Sequence, residues 1–199
     1  MSLPARRIAG VVLAGGMSRR MFREQGRGDK GLLPLGDNTM LGHVIGRLAP
    51  QVEMMALNAN GDQARFTRFR LPVLPDTIDG GVGPLAGVLS GLRWAAGNGA
   101  THIATVSGDA PFIPHDLVAR LSAAVAPGTT AIAIARSNGE LHPVIGVWPV
   151  VLAGDLDASL RSGVRKVLAW TDRHGTVPVD FPMIETSEGP LDPFFNANT

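Results

Sequence analysis

The sequence predicts an α/β fold: a single three-layer domain spanning residues 1–199, with a mostly parallel sheet, helices on both faces and an antiparallel strand toward the C-terminal half. Three observations lead there. Short apolar runs alternate with segments of helical spacing, which is the pattern of strand–helix–strand units. The runs are bounded by Gly, Pro or Asp, so each ends at a residue suited to a turn. After residue 140 the pattern changes, and a run containing His142-Pro143 reads as a strand of opposite direction.

Taken in order, Ile8–Leu13 reads as the first strand and runs into Gly15-Gly16. Arg6 and Arg7 before it mimic a signal peptide or a twin-arginine signal. The apolar run barely reaches the lower end of the ~7–15 residues such a segment needs, and two further arginines follow the glycines. A buried strand accounts for it better. Phe22–Asp29, rich in charge and glycine, reads as a mobile surface loop. Glu53–Asn58, Pro72–Leu74, His102–Ser107 and Ala131–Ala135 read as further strands. Met40–Leu48, Asp62–Phe69, Leu85–Ala96 and His115–Val125 have helical spacing and plausible starts. Then come a strand over His142–Trp148, helices over Val151–Ser162 and Val164–Trp170 separated at Gly163, and a last strand over Thr176–Asp180. The arrangement is Rossmann-like, and ligands of such sheets collect outside the carboxyl ends of the strands.

Composition narrows the function. The chain is 45% apolar and 18% charged, as a soluble globular domain is. A net charge of +1 lacks the basic stripe of a nucleic-acid binder, so phosphate binding is expected to be local to a pocket. There is no cysteine, which excludes disulfides, zinc-thiolate sites and thiol catalysis and suits a cytoplasmic location. No run approaches the ~18 apolar residues of a membrane span.

The chemistry-bearing residues fall at the predicted strand ends. Val11 to Met21 leads from a strand through Gly15-Gly16 to Ser18, Arg19 and Arg20, and Lys30 follows. Glycines let backbone N–H groups approach an anion, and the basic side chains supply the charge a triphosphate needs. The spacing is neither that of a P-loop nor that of a dinucleotide fingerprint. Lys30 is read as a phosphate contact, against the plainer reading of a solvated loop lysine. Asp109, in Ser107-Gly108-Asp109-Ala110-Pro111, ends a strand as either a turn former or a Mg²⁺ ligand; Mg²⁺ commonly takes one or two carboxylates plus the substrate's phosphates. Asp76 ends another strand and could face the base, the ribose or the metal. A glycine-rich turn, Gly80 to Gly87, opens the next helix. Asn58 and Asn60 could read a base edge or sugar, or simply form a turn. His43 and His102 read as packing or surface residues, and Trp94, Trp148 and Trp170 as core or interface fillers.

At these residues the chain resembles the molybdenum cofactor guanylyltransferases. Leu13-Ala14-Gly15-Gly16-x-Ser18-x-Arg20-Met21 and Asp29-Lys30-x-Leu32-Leu33 carry the likeness, with Leu57 to Asn60, Pro75-Asp76, Gly83 to Gly87, Gly108 to Pro111, His142-Pro143 and Phe195 to Thr199. The first loop alone would indicate only the wider glycosyltransferase-A-like nucleotidyltransferases. The resemblance implies that Leu13, Ala14, Gly15 and Gly16 hold the guanine nucleotide together with Lys30, Asn58, Asp76 and Asp109. It implies Mg²⁺ on Asp109, phosphate contacts from Arg20, and Asn196 and Asn198 near molybdopterin. Residues 1–110 would form the nucleotide-binding half and 111–199 the molybdopterin-binding half. The substrates would be GTP and molybdopterin or the molybdenum cofactor, with molybdoenzymes or a cofactor-delivery protein downstream, and with neither nucleic acid nor membrane as partner. The loop between Arg20 and Lys30 is longer than in that signature, and the chain stops after Asn198-Thr199 where relatives run on. Three alternatives stay open: a cytidylyltransferase for the same cofactor, a sugar-1-phosphate nucleotidyltransferase, and a non-catalytic GTP-binding or delivery module. The catalytic reading requires Gly15, Lys30 and Asp109 to share one pocket.

Overall fold

The computed structural model describes residues 6–15, 30–78 and 83–195. Strands β1 (Ile8–Leu13), β4 (Met54–Asn58), β5 (Val73–Leu74), β6 (His102–Ser107), β7 (Ile132–Ser137), β8 (Glu140–Pro149) and β9 (Thr176–Phe181) form a seven-stranded sheet in the order β5-β4-β1-β6-β8-β7-β9. Only β8 runs against its neighbours; the other pairings in the sheet are parallel. Two small hairpins, β2 (Pro34–Leu35) with β3 (Asn38–Thr39) and β10 (Ile184–Thr186) with β11 (Gly189–Leu191), lie outside it.

The strands alternate their side chains between two cores. Val12, Ala104, Val106, Ala133 and Ala135 face one core, which helices α1 (Met40–Leu48) and α3 (Leu117–Ala123) cover. Val11, Ile103, Ile132 and Ile134 face the other, under α2 (Pro84–Gly97), α4 (Ala153–Arg161) and α5 (Val167–Thr171). Period-2 alternation with apolar residues on both sides is what a doubly covered sheet demands. The expected layers, parallel sheet and antiparallel strand are therefore observed.

The expected helix over Asp62–Phe69 is instead a 3-10 segment, Gln63–Phe69. Asp62 caps it by accepting from the Ala64 N–H, and Arg70 ends it in the left-handed region at φ 54°. Phe66 and Phe69 are three apart, and a three-residue turn aligns them on the same core. Helix α3 begins later than His115 because its effective cap is remote: the Gln51 side chain accepts from the Val118 N–H at 2.9 Å. Beyond Gly163 the helix starts only at Val167, and Lys166 is still extended. Trp148 and Trp170 are fully buried in the second core, while Trp94 is half-buried against it.

Asp155 on α4 clamps α5 to the fold. Its Oδ1 accepts from Trp170 Nε1 at 2.7 Å and His174 Nε2 at 3.0 Å. Partial burial raises the Asp155 pKa, but the hydrogen bonds from Trp170 and His174 and the nearby His174 and Arg173 charges outweigh it. The carboxyl is held below its ordinary 3.8. A depressed carboxyl stabilises the fold above the unfolded pKa and loses that contribution as pH falls through the folded value. Asp155→Asn should accordingly melt earlier than the parent at neutral pH, with the gap narrowing below about pH 4. With 39% of the side chain exposed, solvent screens the effect and the shift is small. Thermal melts of both proteins from pH 7 to pH 3 test this; a gap that stays constant contradicts it.

Candidate active site

The site follows from the order of the strands. From β1 the chain steps to β4 and β5 on one side, and β6 lies on the other. Where successive connections leave a parallel sheet in opposite directions, a crevice opens at the strands' carboxyl ends. Leu13, Asn58, Leu74 and Ser107 are the last residues of β1, β4, β5 and β6. Each leads directly into residues singled out from the sequence.

At the centre, backbone pairing continues past the strands. The Ala14 N–H donates to Asn58 O at 2.9 Å and the Gly108 N–H donates to Leu13 O at 3.0 Å. Gly15 therefore sits beside Asn58, and Asp109 stands one residue beyond a backbone tied to Leu13. Lys30 opens a 3-10 turn, Lys30–Leu32, that packs on this edge from above α1. A Cβ added to Gly31 would lie 3.1 Å from Gly108 O and 3.3 Å from Leu41 Cβ, so only glycine lets this turn approach so closely. Leu13, Ala14, Gly15, Lys30 and Asp109 are thus gathered at one edge. The Asp109 carboxylate is half-buried and accepts a hydrogen bond from Ser107 Oγ.

Asn58, Asp76 and Asn60 form one interlocked unit beside it. Asn58 is 5% exposed, and its Nδ2 donates to Leu74 O at 3.0 Å and to Asp76 Oδ1 at 2.9 Å. Asn60 Nδ2 donates to Asp76 Oδ2 at 2.7 Å, while Asn60 Oδ1 accepts from the Asp76 N–H at 2.8 Å. Both carboxylate oxygens of Asp76 already accept from amides. Helix α2 starts at Pro84 behind Gly83, whose φ is 89°, and its Gly87 lies against the Asn58 side chain. Ser90 of the same helix donates to Pro75 O at 2.9 Å, fixing the approach to Asp76.

Gly16, Arg20, Asn196 and Asn198 lie outside the described residues, as do the expected loop over Phe22–Asp29 and most of the glycine-rich turn before Gly83. Of the histidines read as packing or surface groups, His43 Nε2 pairs with Leu35 O at 2.8 Å and His102 Nδ1 with Thr101 Oγ1 at 2.9 Å. Sequence reasoning gave no role to Ser107 or to the Ser137–His142–Asp192 group described below. A hydroxyl two residues before a strand-terminal aspartate was the available signal for Ser107. Nothing local pairs Ser137 with Asp192.

Asp109 offers a single carboxylate. Among the described residues no group of three or more His, Asp or Glu is assembled to hold a metal. A single strand-end carboxylate suits Mg²⁺ where waters and substrate phosphates supply the remaining ligands.

Fold and site together define a doubly wound α/β protein whose polar groups gather in a crevice at the carboxyl edge of the sheet. The MobA-like NTP transferase domain family matches residues 10–177, and the chain belongs to that family. A molybdenum cofactor guanylyltransferase of Mesorhizobium japonicum is 49% identical over 97% of this chain and 91% of its own length. The fold is shared with molybdopterin-guanine dinucleotide biosynthesis protein A from Archaeoglobus fulgidus, at a TM-score of 0.65 and 20% identity over 87% of this chain and 83% of that one. It is also shared with a protein of Mycobacterium tuberculosis solved in complex with manganese, at a TM-score of 0.59 and 23% identity over 89% of this chain and 90% of that one.

Proposed function

We propose that this protein transfers GMP from GTP to the terminal phosphate of molybdopterin, forming the guanine dinucleotide cofactor and releasing pyrophosphate. The observation that carries the reading is the 49% identity, across nearly all of both chains, to a relative named for that activity. The gathering of Gly15, Lys30 and Asp109 at one sheet edge supports it.

In this reading the terminal phosphate of molybdopterin attacks the α-phosphorus of GTP in line, and the bond to the β-phosphate oxygen breaks. The attacking phosphate is ionised at neutral pH, so no side chain has to take a proton. Positioning and charge neutralisation carry the rate. Backbone groups of Leu13, Ala14, Gly15 and Gly16 line the phosphates, and Lys30 and Arg20 offset the charge that builds on pyrophosphate. Asn58 and Asp76, locked together, hold the nucleoside end. Asp109 would hold Mg²⁺, which supplies Lewis-acid neutralisation of the reacting phosphates when bound. A divalent ion is in keeping with the manganese complex of the Mycobacterium tuberculosis neighbour. Asn196 and Asn198 serve the molybdopterin side, and residues 111–199 as a whole form that half.

Incubating the protein with molybdopterin, a sugar 1-phosphate, Mg²⁺ and equal GTP and CTP tests the reading. The guanine dinucleotide is the expected product. A cytosine dinucleotide would reassign the base, nucleotide transfer to a sugar phosphate alone would reassign the acceptor, and tight GTP binding without pyrophosphate release would make the chain a binding module.

A further inference from the structure

A second polar cluster stands at the same sheet edge, on the far side of Asp109 from Asn58 and Asp76. Strands β6 and β7 both run against β8, so Ser137, the last residue of β7, ends at the edge where Ser107 and Asp109 lie. Between them β8 is irregular: Arg136 pairs with Leu141 and Ile134 with Gly146, which sets His142 to Ile145 out of register. Two hydrogen bonds of the buried Thr105 hydroxyl fix this irregular stretch. Thr105 Oγ1 donates to Val144 O at 2.7 Å and accepts from Trp148 Nε1 at 2.7 Å. His142 is thereby held at the edge, 19% exposed, with its ring 4.7 Å from that of Phe194.

The protons of this cluster follow from who can donate. Ser137 Oγ lies 2.8 Å from Asp192 Oδ1 and 2.6 Å from His142 Nε2. An ionised carboxylate only accepts, and Asp192 Oδ1 also accepts from the Phe194 N–H at 2.8 Å. The single Ser137 proton therefore goes to Asp192. Ser137 can then only accept from the ring, and His142 carries its proton on Nε2. Nδ1 is left with a bare lone pair and no partner among the described residues. Burial pushes the imidazole pKa down and the nearby Asp192 and Glu140 carboxylates pull it up less, which keeps the ring neutral at neutral pH. This is not a hydrolase triad, because the carboxylate orients the serine rather than the imidazole and Ser137 is buried.

We propose that His142 is a specificity residue for the acceptor substrate: the Asp192–Ser137–His142 chain fixes Nδ1 as a hydrogen-bond acceptor for an N–H or O–H donor on the acceptor's heterocycle. The inference rests on the two-substrate transfer proposed above. The nucleotide groups Leu13, Asn58 and Asp76 lie on one side of Asp109. An in-line displacement there brings the acceptor in from the other side, where His142 stands. Asp192 also opens the segment that leads to Asn196 and Asn198.

Two substitutions separate the ring's two nitrogens. His142→Gln places an amide where Nε2 lies, keeping the tether to Ser137 and losing Nδ1. His142→Asn places one where Nδ1 lies and loses the tether. The expected result is a crossed pattern. His142→Gln keeps its Tm and its KM for GTP while the KM for molybdopterin rises about five- to tenfold, one lost hydrogen bond. His142→Asn melts earlier, and with an acceptor kept at the Nδ1 position but no longer tethered its molybdopterin KM rises less than that of His142→Gln. An unchanged molybdopterin KM in His142→Gln, or a parallel rise for GTP, overturns the proposal. Nitrogen-15 NMR of the imidazoles in the parent protein gives a reading without turnover. Nε2 should be protonated and Nδ1 bare, with Nδ1 moving on addition of molybdopterin alone and not of GTP alone; a protonated Nδ1, or no response to molybdopterin, overturns it. Failure to form the guanine dinucleotide would instead strike the proposed function, and leaves the NMR assignment and titration as the judge of His142.

Discussion

Asp109→Ala is expected to cut kcat by roughly 10²–10³-fold or more at saturating GTP and Mg²⁺, equivalent to about 3–4 kcal/mol of transition-state stabilisation. The carboxylate is half-buried at the sheet edge, beyond the regular pairing of β6, and its one described hydrogen bond comes from Ser107. Its removal takes nothing from either apolar core. The melting temperature should therefore hardly move, which separates loss of chemistry from loss of fold. Raising the metal concentration should not rescue the variant, because the other ligands of a substrate-completed site come from phosphates and water. Steady-state turnover across a Mg²⁺ series, with melts alongside, is the measurement. Undiminished kcat in Asp109→Ala would remove this residue from the chemistry.

Gly87→Ala should damage the fold and the nucleotide site together. A Cβ there would sit 2.1 Å from Asn58 Oδ1, 2.7 Å from Asn58 Cγ and 3.0 Å from Leu13 Cδ2. The amide has no easy retreat, because its Nδ2 is committed to Leu74 O and Asp76 Oδ1. Either helix α2 lifts from the sheet or the Asn58–Asp76 link breaks. Overpacking of this kind costs about 1–3 kcal/mol, and alanine's better helix propensity returns up to about 1 kcal/mol of it. A loss of about 1–2 kcal/mol with a raised KM for GTP is the expected outcome. Gly97→Ala on the same helix is the control. A Cβ there meets nothing within 4 Å, so the substitution should be neutral or stabilise by up to about 1 kcal/mol. Equal behaviour of the two variants in chemical denaturation would show that the Asn58 contact does not constrain α2.

The residues that the sequence made legible share a physical basis. Apolar runs such as Ile8–Leu13 and His102–Ser107 are local signals. Burial on both faces leaves a strand few polar positions until it ends, so the first Gly, Asn or Asp after the run marks the sheet edge. That is why Gly15, Asn58, Asp76 and Asp109 group together in the sequence. Short hairpins left no such trace: β2, β3, β10 and β11 span two or three residues, too few for a period. The α3 start was misread because its cap is Gln51, far away in the chain. The 3-10 form of Gln63–Phe69 was misread because two phenylalanines three apart fit either helix until the core surface they meet is known.

By itself, then, the order of residues determined the α/β layering, where the strands end and the carboxyl-edge location of the polar groups. All of these follow from local periodicity and from what a turn or a doubly covered strand tolerates. Only the tertiary structure decided that Gly31 rests on Gly108, that Asp76 is shared by Asn58 and Asn60, and that Ser137 joins His142 to Asp192. These contacts bridge up to 77 positions between Gly31 and Gly108, and a hydrogen bond or a close glycine approach has no period along the chain. It exists only once strand order has brought the partners to the same edge.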